Sequence, residues 1–155
     1  MQPAERPRRA LLVCSPGGHL LQLLRLQPAW GGFETTWVTL SAADTDYLLR
    51  EERVIQGKGP TNRSLRALVS NLSLAWRVVR RERPDVIVST GAALAVPFFL
   101  AGKLFGARLV YVESLTRTTS LSLSGRLVRP LSDAFFVQWP DLARATGARF
   151  AGRLL

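Results

Sequence analysis

The sequence predicts an α/β protein built on a Rossmann-like, doubly wound and mostly parallel sheet. Three observations predict it. Short aliphatic or β-branched runs alternate with amphipathic segments from end to end. Several of the short runs are apolar throughout, as strands buried on both faces are. Glycine turns then join two of these runs to the segments that follow, at Ser15-Pro16-Gly17-Gly18-His19 and at Ser89-Thr90-Gly91. With 155 residues, 47% of them hydrophobic, the chain has the size of one domain and can bury a sizeable core.

The elements follow in order. Residues 1–9 are polar, with prolines and arginines, and read as a disordered basic lead-in, leaving 10–155 as the single domain. Residues 10–13 form the first strand, and the Leu-rich segment 20–30 the first helix. Residues 35–40 are β-branched and aromatic, a second strand. A short helix over 43–52 takes Ser41 or Asp44 as its cap, and 57–60 is a loop. The longest helical pattern spans 62–83, with Leu65, Leu68, Leu72, Trp76 and Val79 along one stripe, and Pro84 stops it. The apolar run 85–89 is a buried strand. After the Thr90-Gly91 turn, 92–105 is an apolar helix ended by Gly106. A strand over 108–112, a helix over 121–131, a strand over 134–137, a short helix over 141–146 and an extended piece over 148–155 complete the chain. No internal repeat is present.

Composition removes several classes of function. The lone Cys14 excludes an internal disulfide framework, suits a reducing cytoplasm, and at a strand end reads as a buried, inert thiol. One cysteine and one histidine cannot supply a tetrahedral zinc site, so no metal is expected. The longest apolar segment, 92–105, is interrupted by Pro97 and Lys103 and falls short of the ~20 residues a membrane-spanning helix needs. Any membrane contact is therefore peripheral. The formal charge of +10 suits nucleic acid, an anionic membrane surface or a phosphorylated substrate, and equally a solvated basic surface. The aromatics argue against nucleic acid, because Trp37, Trp76, Phe98, Phe99, Phe135 and Phe136 fall in strands and helices rather than among arginines on a stacking platform.

In doubly wound folds, ligands lie beyond the carboxyl ends of the strands. Three such ends carry polar residues here: Ser15, Gly17, Gly18 and His19; Ser89, Thr90 and Gly91; and Glu113 with the hydroxyl-rich loop containing Ser114 and Thr116. Gly17 and Gly18 let the backbone approach a ligand, and the helix they open offers N–H groups to a phosphate; a plain tight turn would use the same glycines. The spacing matches neither the dinucleotide fingerprint nor a P-loop. His19, the only histidine, sits at the positive end of a helix dipole, which disfavours the imidazolium and leaves the ring to act as base or hydrogen-bond partner. Ser89 and Thr90 can touch ligand or simply cap the next helix. A carboxylate at Glu113, ending an apolar strand, must be paired, for example with Arg117, or face a cleft.

Two helices bear on membranes. The long one adds Arg63, Arg66, Arg77, Arg80, Arg81 and Arg83 to its apolar stripe and would lie flat on anionic lipid if part of that stripe were exposed. The segment after the glycine loop is apolar on nearly every side, and Leu20, Leu23, Leu24 and Trp30 form a candidate lipid-facing edge.

Three stretches taken together, S-P-G-G-H-L-L-Q-L-L, D-V-I-V-S-T-G-A-A-L-A-V-P-F-F-L-A-G-K-L-F-G-A-R-L-V-Y-V-E-S and S-D-A-F-F-V-Q-W-P, resemble the acceptor-binding subunit of bipartite GT-B glycosyltransferases. That family includes the membrane-recruiting subunit of the eukaryotic dolichol-linked N-acetylglucosaminyltransferase and bacterial capsule and exopolysaccharide proteins of the PssD type. A more distant likeness is to the N-terminal half of the enzyme that completes peptidoglycan lipid II. The resemblance covers residues 10–155 and implies the N-terminal half of a GT-B enzyme, with the donor half supplied by a separate subunit. It implies a peripheral protein on the cytoplasmic face of the membrane, binding a lipid-diphosphate-linked acceptor and sharing its cleft with a UDP-sugar. His19 and Glu113 become the catalytic candidates. Ser15, Gly17, Gly18, Ser89, Thr90, Gly91, Ser114 and Thr116 become acceptor contacts. No cofactor, metal or nucleic acid is implied. Two features depart from the family pattern: the N-terminal membrane helix of eukaryotic members is missing here, and Pro16 removes one N–H from the loop.

Overall fold

Runs of Val, Ile and Leu with side chains on both faces need cover above and below, and the sheet they build has helices on each side. The computed structural model describes residues 6–59 and 65–154. Its strands are β1 (Arg9–Val13), β2 (Glu34–Thr39), β3 (Val54–Gln56), β4 (Val86–Ser89), β5 (Arg108–Val112), β6 (Ala134–Val137) and β7 (Arg149–Phe150). They form one sheet in the order β3-β2-β1-β4-β5-β6-β7, with every neighbouring pair parallel. The helices are α1 (Gly18–Arg25), α2 (Ala43–Leu48), α3 (Leu65–Glu82), α4 (Ala95–Leu104), α5 (Leu123–Val128) and α6 (Pro140–Thr146).

Strand alternation divides the core into two layers. Leu11, Val13, Val38, Ile87, Leu109, Tyr111, Phe135 and Val137 point to one face and pack against α3, α4, α5 and α6 through residues such as Val79, Phe98, Phe99, Val128 and Leu142. Ala10, Leu12, Cys14, Trp37 and Val88 point to the other, where Leu20 and Leu23 of α1, Trp30, and Leu49 beside α2 cover them. On this second face the cover stops at β1. The floor made by Val86, Val88, Val110, Val112 and Phe136 stays open as a groove of about 970 Å³, walled by Trp30 and Phe33 on one side and by residues 151–154 on the other.

Several expectations are corrected. The ordered chain starts before residue 10: β1 begins at Arg9, Arg6 pairs with Asp85, and the Arg8 carbonyl accepts from Glu34 N. Strand β3 is absent from the sequence pattern, because three residues at a sheet edge carry too short a signal. α2 is capped at Ala42, where the Thr45 hydroxyl accepts from Ala42 N; neither Ser41 nor Asp44 takes that role. α4 starts at Ala95, not 92, since Ala92 has φ 68 and cannot continue a helix. The 121–131 helix divides into α5 and a 3-10 turn at Arg129–Leu131, and only Arg149–Phe150 of the last extended piece pairs. Residues 1–5, 60–64 and 155, including Arg63, lie outside the described residues.

The lipid-facing edge is also overturned. Leu20, Leu23 and Trp30 are core residues, Trp30 packing edge-to-face on Trp37 at 6.5 Å, and Leu24 is half-buried against the same cluster. α1 and the turn after it pack on the same face of the sheet through these residues, and Leu21 is the large apolar residue of α1 that stays exposed. The outward apolar surface lies on α3 instead. That helix packs inward through Ala67, Asn71, Ala75, Val78 and Val79, while Leu68, Val69, Leu72 and Trp76 are exposed. Among the described residues no helix is long and apolar enough to cross a membrane.

Candidate functional site

β1 and β4 are neighbours, yet the helices that follow them lie on opposite faces, so a crevice opens between their carboxyl ends. At this switch point Gly17, with φ 78, turns the chain from β1 into α1. Its N–H does not await a ligand: the half-buried Asp44 carboxylate accepts it at 2.6 Å. The remaining first-turn N–H groups of α1 point out of the helix mouth, as its geometry requires.

His19 is fixed from the β4 side. Its Nδ1 lies 2.8 Å from the Thr90 carbonyl oxygen, and because a carbonyl can only accept, Nδ1 carries the proton. In the neutral ring Nε2 is then left with a free lone pair. Thr90 Oγ1 donates back to the His19 carbonyl at 2.6 Å, so two hydrogen bonds lock the β1 and β4 loops together. Ser89 Oγ accepts from Gly91 N at 3.1 Å. Ser89 and Thr90 are both fully buried and neither caps α4, whose first turn has no side-chain cap. Gly91 has φ 126, and a Cβ there would come within 2.8 Å of the His19 ring and 3.1 Å of the Tyr111 hydroxyl. Ala92, a non-glycine residue with φ 68, follows directly, so one strained backbone conformation adjoins the turn beside the histidine.

Glu113 does not face the crevice. It is 1% exposed. Its Oε1 accepts from Ser114 N at 3.0 Å, and its Oε2 accepts from Ser122 N and Ser122 Oγ, each at 2.9 Å. Ser122 Oγ in turn accepts from Gly125 N and caps α5. No ion pair joins Glu113 to Arg117 among the described residues; the carboxylate is satisfied by backbone and hydroxyl donors. Ser114 Oγ and Thr116 Oγ1 lie 3.0 Å apart and bond each other, Ser114 buried and Thr116 exposed. Ser15 Oγ is buried with no partner among the described residues.

Two buried groups flank the site. Burial pushes the Cys14 thiol up to about 12, so it stays protonated and inert at neutral pH. Burial, and then the nearby Glu113 charge, raise the Tyr111 phenol. Four of the aromatics weighed against nucleic acid, Trp37, Phe98, Phe99 and Phe135, are buried.

Three residues that sequence reasoning did not place at the site belong to its frame: Asp44, Gln22 and Gln138. Asp44 reads in sequence as a helix cap. Gln22 is the one polar residue in Leu20–Leu24, and Gln138 directly follows an apolar strand; their isolation among apolar neighbours is the signal that marks them.

The family described as "Oligosaccharide biosynthesis protein Alg14 like" matches residues 53–154. The chain is 35% identical to the UDP-N-acetylglucosamine transferase subunit ALG14 of Eremothecium gossypii, over 96% of this chain and 81% of that one. It is 28% identical to the subunit of the same name from Mus musculus, over 86% and 76%. Among solved structures it matches MurG of Acinetobacter baumannii with a TM-score of 0.71 at 18% identity, over 88% of this chain and 43% of that one. UDP-N-acetylglucosamine 2-epimerase of Rickettsia bellii gives a TM-score of 0.71 at 11% identity, over 93% and 43%. The chain thus spans less than half of either solved structure, and at these identities the likeness is one of fold.

Proposed function

The chain belongs to the Alg14-like family of oligosaccharide biosynthesis proteins, and on that premise we propose that it is the acceptor-binding subunit of a two-subunit inverting glycosyltransferase. The donor is a UDP-sugar, UDP-N-acetylglucosamine by analogy with its relatives' names, and the acceptor is a lipid-diphosphate-linked molecule. The observation that carries the reading is His19 at the topological switch point, with Nδ1–H held by the Thr90 carbonyl and Nε2 free.

In the proposed reaction an acceptor hydroxyl attacks the anomeric carbon of the nucleotide sugar. The new C–O bond forms on the face opposite the leaving group, and UDP departs with the electron pair of the broken bond. His19 Nε2 takes the hydroxyl proton, and the Thr90 carbonyl stabilises the imidazolium that results through Nδ1–H. The mouth of α1 receives the acceptor diphosphate. Gly18 is the residue of the glycine pair suited to this, since Gly17 N–H is engaged by Asp44. Glu113 is a positioning residue: it shapes the Ser114–Thr116 loop and the start of α5.

Two surfaces support the assembly. Leu68, Val69, Leu72 and Trp76 of α3, with Leu100, Leu104 and Phe105 on and after α4, form an exposed apolar patch beside Arg66, Arg77 and Arg80. Trp76 meets Phe105 edge-to-face at 4.9 Å, which makes the patch continuous. Apolar area ringed by arginines suits the cytoplasmic surface of an anionic membrane. The open half of the sheet lies on the opposite face and is the surface for the donor-binding subunit.

The test is reconstitution. The chain alone should transfer no sugar, and addition of the donor-binding subunit should start transfer to a polyprenyl-diphosphate acceptor. In that assembly His19→Ala should lower kcat by ~10²-fold or more with acceptor affinity retained. Full-rate transfer by the isolated chain would refute the two-subunit reading, and an unchanged kcat in His19→Ala would remove the histidine from the chemistry.

A further inference from the structure

Two buried glutamines join the C-terminal tail to the glycine loop, and the function proposed above uses neither. The Leu154 N–H donates to Gln138 Oε1 at 2.8 Å. Gln138 Nε2 donates to Gln22 Oε1 at 2.6 Å, and Gln22 Nε2 donates to the Gly18 carbonyl at 3.0 Å. Gly18 immediately precedes His19. Three hydrogen bonds therefore run from the tail to the residue beside the proposed base.

The orientation of both amides is over-determined. Leu154 N and Leu115 N can only donate, and they address Gln138 Oε1 and Gln22 Oε1, the latter at 3.0 Å. The Gly18 and Glu113 carbonyls can only accept, and they address Gln22 Nε2 and Gln138 Nε2, the latter at 3.0 Å. Flipping either amide would set donor against donor and acceptor against acceptor. Gln22 is 9% exposed and Gln138 2%, so water cannot replace a lost partner cheaply. A second strut runs alongside: Arg153 lies over the Trp139 ring at 4.2 Å, and Trp139 Nε1 donates to the Leu115 carbonyl at 2.7 Å. Leu115 is thus gripped at N–H by Gln22 and at C=O by Trp139.

We infer that Gln22 and Gln138 are positioning residues forming a relay through which the place of the Arg153–Leu154 tail sets the glycine loop and His19. Residues 151–154 also wall the open groove. On the reading that the donor-binding subunit covers that groove, its arrival is felt at the base through this relay, and the site is completed on assembly.

The single histidine provides the probe, because its imidazole ring gives one set of C–H resonances in an NMR spectrum of the full chain. Leu154→Pro removes the N–H that starts the relay, whereas Leu154→Ala keeps it. Leu154→Pro should shift the His19 ring signals and Leu154→Ala should leave them in place. Gln138→Met, which keeps the side-chain length without the amide, should shift them as well, and adding Leu154→Pro to it should change nothing further. Leu104→Ser, on the far face, serves as the unshifted control. Unmoved His19 signals in folded Leu154→Pro would overturn the relay, as would additive shifts in the double variant. If Gln138→Met does not fold, the Leu154 pair decides alone. In the reconstituted enzyme Leu154→Pro should also lower kcat by roughly 10-fold or more, the scale expected of a misplaced catalytic group. Absence of transfer by the wild-type assembly would defeat the functional reading, while the NMR shifts would still decide for or against the relay.

Discussion

At the scale of single residues, the two sequence-derived catalytic candidates part company. His19 is half-buried with one nitrogen free, whereas both oxygens of Glu113 are spent on three protein donors. Glu113→Gln must turn an NH2 toward either Ser114 N or the Ser122 pair, and one such donor–donor conflict costs about 1–3 kcal/mol. The expected outcome is a lowered melting temperature, with kcat per folded molecule little changed. A general base would show the reverse, normal folding and lost turnover. Gly91→Ala should harm both properties, because φ 126 excludes a side chain and the added methyl would press on the His19 ring. Thermal melting together with transfer rates checks both variants. Cys14, with its thiol raised to about 12, should resist maleimide at neutral pH and react only on unfolding. Sequence made the histidine legible, since a lone His at a glycine turn stands out. It could not reveal what Glu113 and the glutamines bond to, because Gln22 meets partners 93 and 116 positions away.

At the scale of elements, α3 shows why periodicity found the helix and misjudged its faces. Of the stripe Leu65, Leu68, Leu72, Trp76 and Val79, Val79 is buried as read, but Leu68, Leu72 and Trp76 are exposed, and the buried face runs through Ala67, Asn71, Ala75 and Val78. A hydrophobic pattern gives the period; side-chain size against the neighbouring helix selects the buried side. Trp76→Ser with Leu104→Ser should therefore weaken binding to anionic vesicles by roughly 10-fold or more, given about 1.5–3 kcal/mol for each fully buried large apolar side chain. The melting temperature should stay near wild type. A co-sedimentation assay that finds no difference would move the membrane surface elsewhere. The N-terminal segment is a second element that sequence misplaced, because its anchor is distant: Asp85 accepts from Arg9 N at 2.8 Å and pairs with Arg6. The Arg9 N–H foremost, and the Arg6 charge after it, hold the Asp85 carboxyl below its ordinary 3.8. A depressed carboxyl contributes stability fully above its ordinary value and loses it as pH falls through the lowered one. The stability gap between wild type and Asp85→Asn should be constant near neutrality and close below pH 3.8, as acid-dependent melting would record.

At the scale of the whole molecule, the alternation of strand and helix made the doubly wound fold readable, but not that one quadrant of it is left bare. Strands β4, β5 and β6 are apolar on both faces, as central parallel strands are, and among the described residues helices cover one face of them only. At ~4.8 Å between strands, the open floor is wide enough for one helix of ~10 Å diameter. Its rim bears Arg8, Arg108 and Arg153, while the acidic rim residue, Asp85, is already engaged by Arg6. The surface therefore suits an apolar helix edged with acidic residues. A second copy of a chain whose net charge is +10 is a poor match. Val110 is only half-buried on this floor, so Val110→Asp should leave the isolated chain folded. It should weaken assembly with the donor-binding subunit by about 10-fold or more, since a carboxylate on the apolar floor must give up its water when the interface closes. Arg108→Glu should weaken assembly less, and more at low salt than at high, because a rim charge acts through a screened field. Titration calorimetry at two salt concentrations separates these cases. A negative heat-capacity change on assembly that Val110→Asp diminishes would place the apolar floor inside the interface, and an unaltered affinity in both variants would place the subunit on another face.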